Sequence, residues 1–285
     1  MDASAIDAGE FREAQKNQWG NAASGWYKWE KLMEPATRPV SERLVEIAGV
    51  EPGNRVLDVA AGLGEPSLTA ARIVGDEGTV VASDIAAEML EFARQRAADA
   101  GVENMEFVHC AGSALDFPAE SFDAAVSRWG IIFEPDGEGT AARVRGFLKP
   151  GSRMAISSWG PPDRVPMLGI PVRTLVELLD IATPPPGTPG PLSRPTPEAI
   201  GGLLEGGGFS DIEVDELDVL LEYDSPEEFT TFIKEIAPPV SAMIAPQPPE
   251  KQEEAWNAIT EAVREASDGG QVKLSNQVLV ASGRA

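Results

Sequence analysis

From residue 55 to residue 158 the chain alternates short apolar runs with stretches whose apolar residues recur at helical spacing. The short runs predict strands over 55–59, 79–83, 105–110, 122–127 and 152–158, each too brief for a helix. The stretches between them predict helices over 66–74, 86–100 and from about 139 to 147. Strands alternating with helices make a mainly parallel sheet covered on both faces.

The flanks follow other patterns. Residues up to about Gln15 are polar and are expected to be mobile. An aromatic cluster follows, with Trp19, Trp26, Tyr27 and Trp29. Pro39 then opens a helix predicted to run through Ile47. Beyond residue 160 the proline density rises, a helix is predicted over 172–179, and Pro184 to Pro191 form a stiff loop that no sheet could accept. Thr196 caps a helix that Gly206-Gly207-Gly208 ends. Two late strands, over 212–223 and 272–282, enclose a helical insertion over 225–267 that is broken by prolines.

Two strand ends carry chemistry. The run Val56 to Val59 holds Asp58 and leads into Ala60-Ala61-Gly62-Leu63-Gly64 before the next helix. Such a turn bares backbone to a nucleotide-like ligand at the carboxyl end of a parallel strand. Asp58 places negative charge where a pyrophosphate would otherwise sit, so the favoured ligand carries positive charge. The next strand ends in Asp84, and an acid there accepts hydrogen bonds from both hydroxyls of a ribose. Together they describe an adenosine site. An NAD(P)-dependent dehydrogenase is the nearer rival, but its fingerprint wants glycine where this chain has Ser67, and it leaves Asp58 unexplained.

These residues resemble class I S-adenosylmethionine (SAM)-dependent methyltransferases, of the small-molecule type related to quinone-biosynthesis enzymes. The resemblance runs through Val56 to Ser67, Asp84 with Ala87-Glu88-Met89-Leu90, Gly112-Ser113-Ala114, Ser127-Arg128-Trp129-Gly130 and Leu148-Lys149-Pro150-Gly151. It implies an α/β, Rossmann-like fold: a mainly parallel seven-stranded sheet with an antiparallel last strand, plus helical lid insertions. Residues 1–38 would be an aromatic lid, 39–160 the SAM-binding core, 161–195 a proline-rich lid, and 196–285 the rest of the core. The cofactor implied is SAM. Ala60, Gly62 and Gly64 would lie along its amino-acid part and ribose, Asp84 on the ribose hydroxyls, Ile85 and Met89 against the adenine. Ser113 and Ala114 occupy the segment where family members place an acid for the adenine amino group; a serine hydroxyl still accepts, more weakly, and Asp116 is the alternative. Ser127 and Arg128 would face the methionine portion.

The acceptor side leaves alternatives open. Trp26, Tyr27 and Trp29 are either core packing or a cage over cofactor and acceptor, and Trp129 shares that ambiguity; aromatic faces suit a sulfonium. Glu134 follows Ile131-Ile132-Phe133 and is either a base near the transferring methyl or a solvated loop acid. Tyr27 is the other candidate catalytic group. His109 reads as a satisfied or partly buried core histidine.

Composition narrows the partners. The 46 acidic and 23 basic residues leave a formal charge of -23, a field that repels phosphate backbones and anionic lipids and argues against nucleic-acid or membrane partners. The lone Cys110 forms no internal disulfide and no cysteine metal site, and the acids show no metal-ligand spacing. The amino terminus has no basic, apolar leader, which suggests a cytoplasmic protein. The reading is therefore a SAM-dependent methyltransferase acting on a small molecule. The alternative is a SAM-binding sensor or scaffold without transfer activity.

Overall fold

The computed structural model describes residues 8–182, 187–267 and 270–285. Apolar runs form the strands β1 (Arg55–Val59), β2 (Thr79–Asp84), β3 (Met105–His109), β4 (Phe122–Arg128) and β5 (Leu148–Trp159). Between them lie α3 (Ser67–Val74), α4 (Ala87–Asp99) and α5 (Gly137–Phe147). Later come β6 (Ser210–Tyr223) and β7 (Val272–Arg284), and the sheet order is β3-β2-β1-β4-β5-β7-β6. β1 to β5 pair in parallel, whereas β7 lies antiparallel between β5 and β6. Val56, Leu57, Val80 and Val81 are buried because helices cover both faces of the central strands.

β3 is an edge strand, and this corrects the reading of His109. The histidine is exposed, with its Nε2 3.0 Å from the Ile85 carbonyl oxygen, rather than partly buried in the core. Strand order, which periodicity does not reveal, decides this.

The β6–β7 ladder continues to Tyr223↔Val272, whereas β5 stops pairing with β7 at Trp159↔Val278. About six residues of hairpin, roughly 20 Å, therefore project past the carboxyl ends of the parallel strands. Helices α6 (Pro166–Leu179), α8 (Pro226–Ile236), α9 (Pro238–Ile244) and α10 (Pro249–Ala266) pack on that projection and on one another. Phe229, Phe232, Ile259 and Tyr223 are buried among them. The remaining helix of this half, α7 (Pro197–Gly206), packs on α5 and the sheet, with Thr196 Oγ1 accepting the Ala199 N–H as an N-cap.

The amino-terminal segment differs from expectation in two places. Helix α1 (Ala8–Lys28) already begins at Ala8, so residues 8–15 are helical; residues 1–7 lie outside the described residues. Helix α2 (Glu30–Ile47) begins nine residues before Pro39 and runs through both Pro35 and Pro39. Burial of Met33, Thr37, Val40 and Leu44 along one face outweighs the two lost hydrogen bonds, each a prospective break. For the same reason α6 begins at Pro166 and contains Pro171, six residues ahead of the predicted start. Asn276 Oδ1 accepts the Met167 N–H there and anchors the first turn. Of the stiff loop expected over 184–191, residues 184–186 lie outside the described residues.

Candidate active site

The turn after β1 is held by backbone. Ala61 N–H donates to the Ser83 carbonyl at 2.8 Å, and Gly64 N–H to the Ala61 carbonyl at 2.8 Å. Ala60, Gly62 and Gly64 have φ of 59°, 54° and 97°. Positive φ suits the glycines and strains Ala60, a pattern that clusters at ligand-binding turns. A Cβ on Gly62 would meet nothing within 4 Å, so the chain lies open on that side; one on Gly64 would sit 3.3 Å from Ala93 Cβ in α4.

Asp84 closes this hollow. Its Oδ2 accepts the Gly62 N–H at 2.9 Å and its Oδ1 the Ala86 N–H at 2.8 Å, with 6% of the residue exposed. Burial pushes its carboxyl up to about 6, against the two backbone donors. Asp58 is fully buried: Oδ2 accepts the Ser67 N–H at 3.0 Å and the Ser67 hydroxyl at 2.6 Å, while Oδ1 has no partner among the described residues. Burial pushes Asp58 up to about 7, although Ser67 and the Arg128 charge oppose it. Ser67, at the position where a dinucleotide fold wants its third glycine, is thus the tie between α3 and β1.

The end of β4 is engaged within the protein. Ser127 Oγ donates to the Val59 carbonyl at 2.7 Å and accepts the Ile131 N–H at 3.0 Å. Arg128 Nη1 donates to Thr37 Oγ1 at 3.1 Å and Ser41 Oγ at 2.9 Å, which ties β4 to α2. Trp129, at φ 53°, stacks on Trp159 at 4.4 Å, and the Arg128 guanidinium lies 5.3 Å from its ring; its buried Nε1 has no partner among the described residues. A Cβ on Gly130 would lie 2.5 Å from Ala60 Cβ, so this turn is packed directly against the glycine turn.

Helix α1 lies as a strap across these strand ends. Arg12 Nη1 donates to Ser113 Oγ at 2.9 Å, and Gln15 Nε2 to the Phe133 carbonyl at 3.0 Å. Ala23 packs with Met89 and Ala86, beside Trp19, Trp26 and Leu63. At the far end Trp26 Nε1 donates to the Ile236 carbonyl at 3.0 Å and Trp29 Nε1 to Glu235 Oε2 at 2.6 Å. Tyr27 stacks on Phe92 of α4 at 4.5 Å. The aromatic cluster therefore divides: Trp19 and Trp26 lie with Met89, Trp29 seats on α8, and Tyr27 faces α4.

The structure thus gathers Ala60, Gly62, Gly64, Asp84, Ile85 and Met89 at the ends of β1 and β2. Ser113 and Ala114 follow in a short turn after β3. Glu134 comes to that same turn, with Oε1 3.0 Å from where a Cβ on Gly112 would stand. Sequence reasoning missed Arg96. Its Nη1 donates to the Leu63 carbonyl at 2.6 Å inside the glycine turn, its Nε to Glu30 at 2.8 Å, and Nη2 to Glu34. The signal was there: Arg96 falls on the same helical face as Met89, Ala93 and Ala97, where a charge needs a partner. A surface cavity of about 550 Å³ between α7 and β6 lies away from these strand ends.

Residues 38–166 match the ubiE/COQ5 methyltransferase family. Over 120 residues the chain is 36% identical to the ubiquinone/menaquinone biosynthesis C-methyltransferase UbiE of Teredinibacter turnerae, covering 42% of this chain and 48% of that protein. Over 139 residues it is 35% identical to aklanonic acid methyltransferase DauC of a Streptomyces species, covering 46% and 63%. The chain therefore spans about half to two thirds of the length of these curated relatives. Its fold is similar to that of the Bacillus subtilis YcgJ protein (TM-score 0.58, 18% identity, 87% and 98% of the two chains). It is similar also to a putative methyltransferase from Bacillus halodurans (TM-score 0.55, 18% identity, 86% and 97%). Residues 38–166, which hold the glycine turn flanked by Asp58 and Asp84, are thus similar to the ubiE/COQ5 methyltransferase family, and the sheet with its antiparallel β7 has a fold similar to that of the two solved structures.

Proposed function

We propose that this chain is a SAM-dependent methyltransferase that methylates a small, partly apolar molecule. The observation that carries the reading is the open, positive-φ turn Ala60–Gly64 with Asp84 at its mouth. Asp84 keeps acceptor capacity beyond its backbone donors, which fits ribose hydroxyls. Behind the turn, Asp58 has one oxygen without a partner among the described residues, and its ionised form, gaining as pH rises through about 7, favours a cationic ligand over a pyrophosphate.

The chemistry the cofactor supplies when bound is a methyl group on a sulfonium, open to in-line displacement. What the protein adds is placement: orienting two reactants is worth up to roughly 7–11 kcal/mol, so no dedicated base is required. The backbone of Ala60 to Gly64 holds the amino-acid part and Asp84 the ribose, with Ile85 and Met89 against the base. Helix α1, seated at both ends, excludes water from the strand ends. Trp129, stacked on Trp159, walls the acceptor side, and its indole N–H, without a partner among the described residues, offers a donor to an acceptor oxygen. The names of the relatives, methyltransferases for quinone biosynthesis and for aklanonic acid, support an acceptor with a large apolar part.

Thermal shift of the purified chain with S-adenosylhomocysteine (SAH) and with NADH tests the reading. Stabilisation by SAH alone supports it, and stabilisation by NADH alone overturns it. A panel of phenols, quinols and amines then reports transfer as a mass gain of one CH2.

A further inference from the structure

Glu134 is the carboxylate with no explanation in the fold. Its Oε2 is buried, and no described residue donates to it. Its Oε1 points at the main chain of Gly112, 3.0 Å from the position a Cβ there would take; Val59 Cγ1 and the Thr140 methyl Cγ2 crowd the same spot at 3.0 and 3.1 Å. The buried Oε2 is therefore an acceptor whose hydrogen-bonding capacity an arriving donor would satisfy. The neighbouring Ser113 hydroxyl, the other polar side chain of this turn, is already an acceptor for Arg12.

Location selects the donor. The sheet runs β1, β2, β3 outward, with the glycine turn on β1, the ribose acid Asp84 on β2, and the Gly112–Ala114 turn after β3. Glu134 and Asp84 both lie near Cys110, whose thiol is pushed up chiefly by burial and further by both charges. A nucleoside whose ribose sits on Asp84 therefore extends its base toward Glu134. We propose, on the strength of the methyltransferase reading above, that the Glu134 carboxylate accepts the exocyclic amino group of the cofactor's adenine. It would do so in place of an acid on the β3 turn, where this chain has Ser113.

The base itself supplies the test. S-inosylhomocysteine differs from SAH in carrying a carbonyl oxygen where adenine carries its amino group, so a carboxylate opposite it meets a lone pair instead of a donor. Isothermal titration of the full chain with both ligands should show SAH bound about ten- to a hundredfold more tightly. In Glu134→Gln, whose amide can donate to the carbonyl, the preference should shrink to within about threefold, and Glu134→Ala should lose it likewise. Each variant is its own control, because two nearly identical ligands are compared on one protein. A wild-type preference that persists in both variants, or wild-type binding of both ligands without preference, overturns the Glu134 assignment alone. Binding of neither ligand by the wild type overturns the methyltransferase reading and this assignment with it.

Discussion

Asp84 Oδ2 accepts the Gly62 N–H at 2.9 Å, so the carboxylate that ends β2 also shapes the glycine turn that follows β1. One side chain thereby fixes the turn and faces the hollow. Its removal should cost both functions. Asp84→Ala is expected to weaken SAH binding at least a hundredfold, since hydrogen bonds to a charged group contribute about 1.5–3 kcal/mol each. Titration calorimetry on the variant, with circular dichroism to confirm folding, checks this; affinity within threefold of wild type would place the ribose elsewhere.

The same carboxyl makes binding depend on pH. Asp84 ionises near 6 in the free protein, and the ionised form is the better acceptor for ribose hydroxyls. Ligand binding therefore favours proton release, and SAH affinity should fall as pH drops from 7 to 5. In Asp84→Asn that slope should flatten, as read from binding curves at several pH values.

Stability carries a second pH signature. Asp58 ionises at about 7 when folded, against roughly 4 in an unfolded chain. Between these values the folded protein holds the extra proton, so this group's contribution is complete below about pH 4 and is lost as pH rises through 7. The loss should be on the order of a few kcal/mol. Chemical denaturation from pH 4 to 8 should show stability falling with pH. The fall should be shallower in Asp58→Asn, whose amide oxygen still accepts from Ser67.

Arg96 joins α2 to the turn. Its guanidinium reaches Leu63 in the glycine turn and Glu30 and Glu34 on α2, and the residue is only 9% exposed. Arg96→Met should destabilise the fold by about 2–3 kcal/mol, below the 3–5 typical of fully buried pairs because both glutamates retain some solvent. It should also weaken SAH binding. Unchanged SAH affinity in a destabilised variant would separate the ion pairs from the site.

Helix α1 can be lifted from its seat at one point. A Cβ on Gly25 would lie 2.5 Å from the Glu235 carbonyl oxygen, a backbone atom that has no room to yield. Gly25→Val should cost about 1–3 kcal/mol and raise the SAH dissociation rate, measured by stopped-flow displacement. An unaltered off-rate would mean that the strap does not gate the site.

What the sequence revealed was short-range. The spacing from Asp58 through Ala60, Gly62 and Gly64 to Ser67, and the acid closing β2, are written within a few residues and appear in the structure as one hollow. What it hid depends on partners far along the chain. Glu134 meets Gly112, Arg12 meets Ser113, and Arg96 meets Leu63 and two residues of α2; no periodicity announces such pairs. His109 misled because its exposure depends on β3 being an edge strand. The prolines of α2 and α6 misled because buried faces outweighed local propensity.

The acid-flanked backbone hollow at the ends of β1 and β2 is proposed to take an adenosyl sulfonium. Titration calorimetry of ligand-stripped protein with SAM and with SAH tests it most directly. One molecule of either should bind per chain, and Asp84→Ala should abolish the heat; a flat trace with both ligands on folded wild-type protein would contradict the account.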